Sequence, residues 1–153
     1  MNTTSLKSLL DACFLAKRVA ETMPELPPGM KPRHIHVMEA IHELEVSEQE
    51  CRVSDVSARL GVTTPSITKL IHELEGFGMV DRFADKADKR VNLLRLTPKG
   101  MESVRIYIYE LHAKWVEGLK DITDQQAQEA VMVIERLAGA MPAGKKKVAK
   151  EEL

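Results

Sequence analysis

Small polar side chains recur at helical spacing along the segment that begins at Thr64. When this segment is projected as a helix at about 100° per residue, its apolar residues gather on one side and its polar residues on the other. Hydroxyls, one lysine and one histidine on a helix can enter a DNA major groove, which is about 12 Å wide, and contact base edges and phosphates. The solvated face of an ordinary surface helix is the alternative that this pattern alone leaves open. The predicted nucleic-acid contacts on this face and its flanks are Pro65, Ser66, Thr68, Lys69 and His72, with Thr64 at the start of the helix as a further predicted contact.

A second charged group follows in a D-x-x-D-x-R arrangement formed by Asp85, Asp88 and Arg90. The planar guanidinium of arginine is suited to a DNA minor groove, where the potential is most negative. Carboxylates beside it can hold a loop in shape by pairing with it or with its neighbours. The charge pattern alone is equally compatible with a solvated hairpin. The predicted DNA contacts are Lys86, Lys89 and Arg90, and the predicted wing-shaping residues are Asp85 and Asp88.

Two helices of unequal length position the first group. The apolar spacing after residue 52 predicts a short helix, with Ser54 as its N-cap and Gly61 as its C-terminal stop. After a three-residue turn, a longer helix begins with Thr63 or Thr64 as cap and Pro65 in its first turn. A short helix, a glycine-containing turn and a longer helix are typical of a helix-turn-helix.

The apolar period then changes from helical to strand-like. Residues 79–83 and 91–96 are β-prone runs on either side of the charged loop, so they predict a two-stranded wing. A further helix is expected from Pro98 to about Lys120, and a last one opens at Thr123 with a capping box. Two helices, one ending near Met23 and one starting at Pro32, precede the helix-turn-helix. The fold class is therefore mainly α, a winged helix-turn-helix flanked by N- and C-terminal helices, with residues 142–153 as a disordered tail.

Composition narrows the function classes. The chain has 153 residues and a net charge of −1, but residues 61–100 hold seven basic and five acidic residues, a local excess of 7 − 5 = +2. No apolar run reaches the roughly 18 residues of a membrane span, and no secretory signal precedes the first helix, so a cytoplasmic location is expected. Cys13 and Cys51 fit no metal or disulfide framework. The sequence shows no catalytic constellation and predicts no enzyme activity, no metal and no cofactor.

The motifs together resemble one family. Leu60-Gly61-Val62-Thr63-Thr64-Pro65-Ser66-Ile67-Thr68-Lys69-Leu70-Ile71 is followed by Leu74-Glu75, Gly78-Met79-Val80, the D-x-x-D-x-R loop and Leu96-Thr97-Pro98-Lys99-Gly100. This combination is similar to the MarR family of bacterial winged helix-turn-helix transcription regulators.

The resemblance implies an obligate homodimer, with residues 1–30 and 101–141 as dimerisation helices and residues 31–100 as the DNA-binding lobe. It implies two recognition helices in successive major grooves of double-stranded DNA, two wings in flanking minor grooves, and a pseudo-palindromic operator. Arg90 is then the minor-groove residue. Thr64 stands where the family usually has a basic residue, and His72 where it often has an acidic one, so base preference does not carry over.

The resemblance also raises the question of a signal. Many members are released from DNA by small phenolic or lipophilic acids, so an effector-responsive repressor with a small-molecule effector is expected, although no pocket residue is predicted. Cys13-Phe14 resembles the pair of the family's hydroperoxide sensors, but the second helix lacks their tyrosines, so a redox-sensing regulator is an alternative only. A protein-interaction winged helix is another alternative. The histidines at 34, 36, 42 and 112 are expected to be solvated or capping residues.

Overall fold

The computed structural model describes residues 1–47, 49–86 and 88–141. It divides into two compact units, Met1–Gly118 and Leu119–Leu153. The first unit contains α1 (Thr3–Ala20), α2 (Pro32–Val46), α3 (Val53–Leu60), α4 (Thr64–Gly76), β1 (Val80–Ala84), β2 (Asn92–Leu96), α5 (Pro98–Val104), a π-helical turn (Arg105–Glu110) and α6 (Leu111–Gly118), and the second contains α7 (Asp124–Ala140). The predicted class, a mainly α winged helix-turn-helix, is confirmed. The predicted disordered tail, residues 142–153, lies outside the described residues.

Helix α2 lies at the centre of the first unit's core. It contacts α3, α4, α5 and β2, so it buries more of its circumference than a surface helix does. Val37, Met38, Ile41 and Leu44 recur at helical spacing and form one apolar stripe along this helix. The structure also buries residues beside that stripe, because neighbours pack on several sides: the buried set is His34, Ile35, Val37, Met38, Ala40, Ile41 and Leu44.

The helix-turn-helix forms as its local chemistry predicts. Gly61 ends α3 in the left-handed region, at φ 62°, which glycine adopts without steric cost. The Ser57 hydroxyl donates to the Val62 carbonyl over 2.5 Å and closes the turn. The predicted N-cap Ser54 is wrong: Arg52 caps α3, and its backbone N–H donates to the Asp55 carboxylate over 2.9 Å. The helix starts at Val53, directly after Arg52, where the chain is extended and forms an antiparallel bridge with Leu93.

The wing is an antiparallel pair whose register runs from Val80 opposite Leu96 to Ala84 opposite Asn92. Each strand starts one residue later than predicted. The backbone N–H of Leu94 also donates to the Cys51 carbonyl over 2.8 Å, next to the bridge at Arg52. The segment that leads into α3 is thereby joined to the second strand of the wing.

The helix that follows the wing is interrupted. The helix predicted from Pro98 to about Lys120 extends to Gly118, but a π-helical turn, which the sequence did not predict, separates α5 from α6. This turn contains Ile106, Tyr107, Ile108 and Tyr109, β-branched and aromatic residues with modest α-helix propensity. A single widened turn leaves no clear mark in the apolar period of so short a segment.

The first helix and the last expose apolar side chains. Neither α1 nor α7 buries a residue. Phe14 on α1 is 72% exposed, and Val131 on α7 is 55% exposed. Among the described residues, no helix is both long enough and apolar enough to cross a bilayer.

Candidate nucleic-acid interface

Helix α4 has one anchored face and one free face. Ile67, Ile71 and Leu74 are at most 1% exposed, so they fix the helix to the core. The opposite face and its flanks carry exposed side chains, as the helical projection predicts: Pro65, Ser66, Thr68, Lys69 and His72. Thr64 is also exposed, but its hydroxyl donates to Ser57 Oγ on α3 over 3.3 Å. The buried apolar face therefore fixes the orientation of the polar face.

The hydroxyls of this face are partly engaged within the protein. The Thr68 hydroxyl donates to the Thr64 carbonyl over 2.9 Å, so its hydrogen is used while its oxygen can still accept. This arrangement suits an amino group on a base edge better than a phosphate oxygen, which needs a donor. The Ser66 hydroxyl lies 2.9 Å from the Thr63 hydroxyl at the start of the helix.

Lys69 lies in the middle of the exposed face. Within residues 1–47, 49–86 and 88–141, its ammonium forms no ion pair, although the Glu73 carboxylate is near enough to feel its charge. His72 is exposed one turn further along. An exposed ammonium without an ion pair can approach a phosphate or a guanine edge without first breaking one.

The wing places Arg90 at its tip with the side chain 91% exposed. Its guanidinium forms a two-pronged pair with Asp88, Nε to Oδ1 at 3.1 Å and Nη2 to Oδ2 at 3.2 Å. These hydrogen bonds hold the pKa of the Asp88 carboxyl below its usual range. A solvent-exposed pair of this kind contributes little free energy, so the guanidinium can exchange this partner for DNA.

The loop between the strands is closed by hydrogen bonds around Asp85. Asp85 is buried, and its backbone N–H donates to the Val91 carbonyl over 2.9 Å. One of its carboxylate oxygens accepts from the Asp88 N–H over 3.2 Å, and the Val91 N–H donates to the Asp88 carbonyl over 2.9 Å. Lys86 and Lys89 are exposed on either side. That the two acids shape the wing stays a prediction.

A joint behind α4, which the sequence did not indicate, connects the recognition helix to the wing. Thr97 caps α5 by accepting from the Gly100 N–H over 3.1 Å, and its hydroxyl donates to the Gly78 carbonyl over 2.7 Å. Its own N–H donates to the Met79 carbonyl over 3.0 Å. Lys99 adds a bond from Nζ to the Phe77 carbonyl at 2.8 Å. The turn between α4 and β1 is therefore fixed to the start of α5.

The histidines and cysteines have other surroundings. His34 is fully buried and accepts from the Lys31 N–H, so it is a capping residue and is not solvated. His42 packs edge-on against Tyr109, with ring centroids 5.8 Å apart. Burial raises the pKa of the Cys51 thiol to about 12, which keeps it protonated, while Cys13 is partly buried. Within the described part of the chain, no group of three or more His, Cys, Asp or Glu side chains could hold a metal.

Comparison with known sequences gives a family for the lobe. A model of the MarR family matches residues 31–91, a span that contains α2, α3, α4 and β1. The chain is 26% identical over 96 residues to the uncharacterized HTH-type transcriptional regulator YdgJ of Bacillus subtilis (strain 168). That match covers 63% of this chain and 56% of YdgJ, so the chain spans just over half the length of this relative.

Solved structures share the fold. FabT of Streptococcus pneumoniae, solved in complex with DNA, has a TM-score of 0.63 at 22% identity, covering 89% of this chain and 92% of FabT. PcaV of Streptomyces coelicolor, solved in complex with its natural ligand, has a TM-score of 0.62 at 21% identity, covering 88% of this chain and 89% of PcaV. Residues 31–91 therefore match the model of the MarR family, and the fold of the chain is similar to those of FabT and PcaV.

Proposed function

We propose that this chain is a sequence-specific, DNA-binding transcription regulator and not an enzyme. Helix α4 would enter the major groove and the wing tip the adjacent minor groove. The observation that carries the proposal is the pairing, on one rigid lobe, of an exposed polar helix face around Lys69 with an exposed arginine at the tip of a wing. The match of residues 31–91 to the MarR family model supports it, as does the complex of FabT with DNA.

The regulator acts as a homodimer in this proposal. Helix α1 exposes Phe14, Leu15 and Val19, and α7 exposes Val131 and Ile134, each at 44% or more. Apolar side chains concentrated on a helix indicate a surface that another protein chain covers. Two copies related by a two-fold axis present two recognition helices, so the operator is pseudo-palindromic with half-sites about 34 Å apart.

The third part of the proposal is a small-molecule effector that controls DNA binding. PcaV was solved with its natural ligand, and CouR of Rhodococcus jostii with p-coumaroyl-CoA. By analogy, we propose that a small molecule releases this regulator from DNA in the cytoplasm, so that it acts as a repressor. The operator sequence and the effector are to be found by selecting bound duplexes from random DNA and then screening metabolites for release.

Salt dependence tests the proposal directly. Each lobe exposes four cations on the proposed interface, Lys69, Lys86, Lys89 and Arg90. If half of them neutralise a phosphate, a dimer makes four contacts, and the slope of log K against log[salt] is about −4, because each contact contributes about −0.9. Fluorescence anisotropy with a selected duplex at several salt concentrations measures this slope. A flat dependence, or no duplex binding by the purified dimer, contradicts the proposal and favours a protein partner.

A further inference from the structure

A buried histidine contacts the recognition helix from behind. The side chain of His34, on the first turn of α2, is 1% exposed, and its Nε2 lies 2.7 Å from Oε2 of Glu73 on α4. The ring also packs edge-on against Phe77, which caps the C-terminus of α4, with ring centroids 5.6 Å apart. His34 therefore contacts the C-terminal half of α4 at two points.

The hydrogen-bond partners of the ring define its protonation. The backbone N–H of Lys31 donates to Nδ1 over 3.0 Å, so Nδ1 is an acceptor and carries no hydrogen. The single ring hydrogen is then on Nε2, where it donates to the Glu73 carboxylate. This hydrogen bond lowers the pKa of Glu73, which stays ionised. The neutral histidine thus satisfies a main-chain donor on one side and a carboxylate on the other.

The position of Glu73 gives this bond a further consequence. Glu73 follows Lys69 by four residues on α4, the spacing at which oppositely charged side chains on a helix pair with each other. Yet, within the described chain, the carboxylate contacts His34 and the Lys69 ammonium forms no ion pair. The carboxylate is 31% exposed, so it has room to turn toward Lys69 if the histidine no longer holds it.

We propose that His34 is a positioning residue for DNA binding: it holds the Glu73 carboxylate away from Lys69 and leaves that ammonium available to DNA. The inference rests on the proposed function, in which Lys69 contacts DNA. Without the bond from His34, Glu73 competes with phosphate for Lys69 and places a free negative charge at the edge of the interface.

Two substitutions separate the ring's two hydrogen bonds. In H34N the amide oxygen can replace Nδ1 as the acceptor for Lys31, but the donor to Glu73 is lost. In H34Q the longer amide can keep the donor to Glu73, whereas the acceptor for Lys31 is lost. Both remove the same ring from the same buried position, so they create comparable packing defects, and thermal unfolding checks that both remain folded.

Operator binding and its salt dependence are the readouts. We expect H34N to weaken binding by roughly two- to fivefold per dimer, the effect of two competing helix pairs, and to make the salt slope shallower by up to about 0.9 per Lys69 lost. H34Q and the double variant H34N/E73Q should both recover affinity and slope. Equal weakening in H34N and H34Q, or no rescue by E73Q, shows a merely structural role and overturns the inference.

Other outcomes are equally decisive. If the wild-type dimer shows no salt-dependent duplex binding, the proposed function fails. If it binds but H34N matches it, only the role of His34 fails. Should H34N not fold, the ring ¹⁵N shifts of His34 in the wild-type protein decide: we expect an unprotonated Nδ1 and a slowly exchanging Nε2–H. A ring protonated on Nδ1, or a rapidly exchanging Nε2–H, overturns the inference.

Discussion

At Gly100, the addition of one methyl group should lower the stability of the lobe. A Cβ at this residue would lie 2.1 Å from the Met79 carbonyl oxygen and 3.3 Å from Leu96 Cδ2. Ordinary contact begins at 3.4 Å, so α5 and the start of β1 must separate by more than 1 Å to admit a methyl group. The obstructing atom is main chain, which cannot rotate away as a side chain would.

The expected change in the free energy of unfolding for Gly100→Ala has three contributions. Forcing a methyl group into a packed site costs about 1–3 kcal/mol. The same displacement loosens the hydrogen bond from the Thr97 N–H to the Met79 carbonyl, which contributes about 1 kcal/mol. Alanine recovers about 1 kcal/mol through its higher helix propensity. We therefore expect a net loss of about 1–3 kcal/mol in the free energy of unfolding.

Urea unfolding at a fixed protein concentration measures this loss, and a drop of roughly 1 M in the midpoint is expected. Gly76→Ala is the matched control, since a Cβ there meets nothing within 4 Å and should leave stability unchanged or slightly raised. Circular dichroism verifies that both variants keep the helical fold. An unfolding midpoint for Gly100→Ala at or above that of the wild type would refute the close approach of α5 to β1.

Two further predictions concern charged side chains. Arg90→Ala should weaken operator binding by about tenfold or more, the value of a good DNA contact, while the unfolding free energy changes by less than about 0.5 kcal/mol. Loss of folding in Arg90→Ala would make the wing arginine structural. The Glu39 carboxylate, 3.7 Å from His36 Nδ1, raises the pKa of His36 above 6.5, so the pair stabilises the fold below pH 6.5 and loses that effect as the pH rises through the raised pKa. The stability difference between wild type and Glu39→Gln should accordingly be larger at pH 6 than at pH 8, though under about 1 kcal/mol for a partly exposed pair; an NMR titration of His36 at or below 6.5 contradicts this.

The sequence predicted best those features whose cause is local. Gly61 ends α3 because it can adopt a positive φ, and Thr123 starts α7 through a capping box with Gln126. The anchored face of α4 follows from helical period alone. Each of these depends on residues within about one helical turn, so the spacing in the sequence contains the information.

Features that depend on distant partners could not be predicted in this way. His34 and Glu73 are separated by 39 positions, and the Leu96 N–H finds the Glu45 carboxylate across 51 positions. The sequence predicted His34 to be a solvated or capping residue, and it caps α2. Its burial and its second partner depend on how α2 packs against α4. The bridge between Arg52 and Leu93 similarly depends on how the segment before α3 packs against the wing. The proposed contacts of Lys69 and Arg90 with DNA stay predictions.

The joint at Thr97 allows base preference and the spacing between two lobes to change independently of each other. Because Thr97 and Lys99 tie the end of α4 to the start of the wing and of α5, the distance between helix and wing is built into each lobe. In the proposed complex with DNA, substitutions on the exposed face of α4 would alter which bases are preferred without changing that distance. In the proposed homodimer, substitutions in α1 or α7 would alter the spacing of the two lobes without changing base preference. A chain built this way can acquire a new target site or a new signal one at a time.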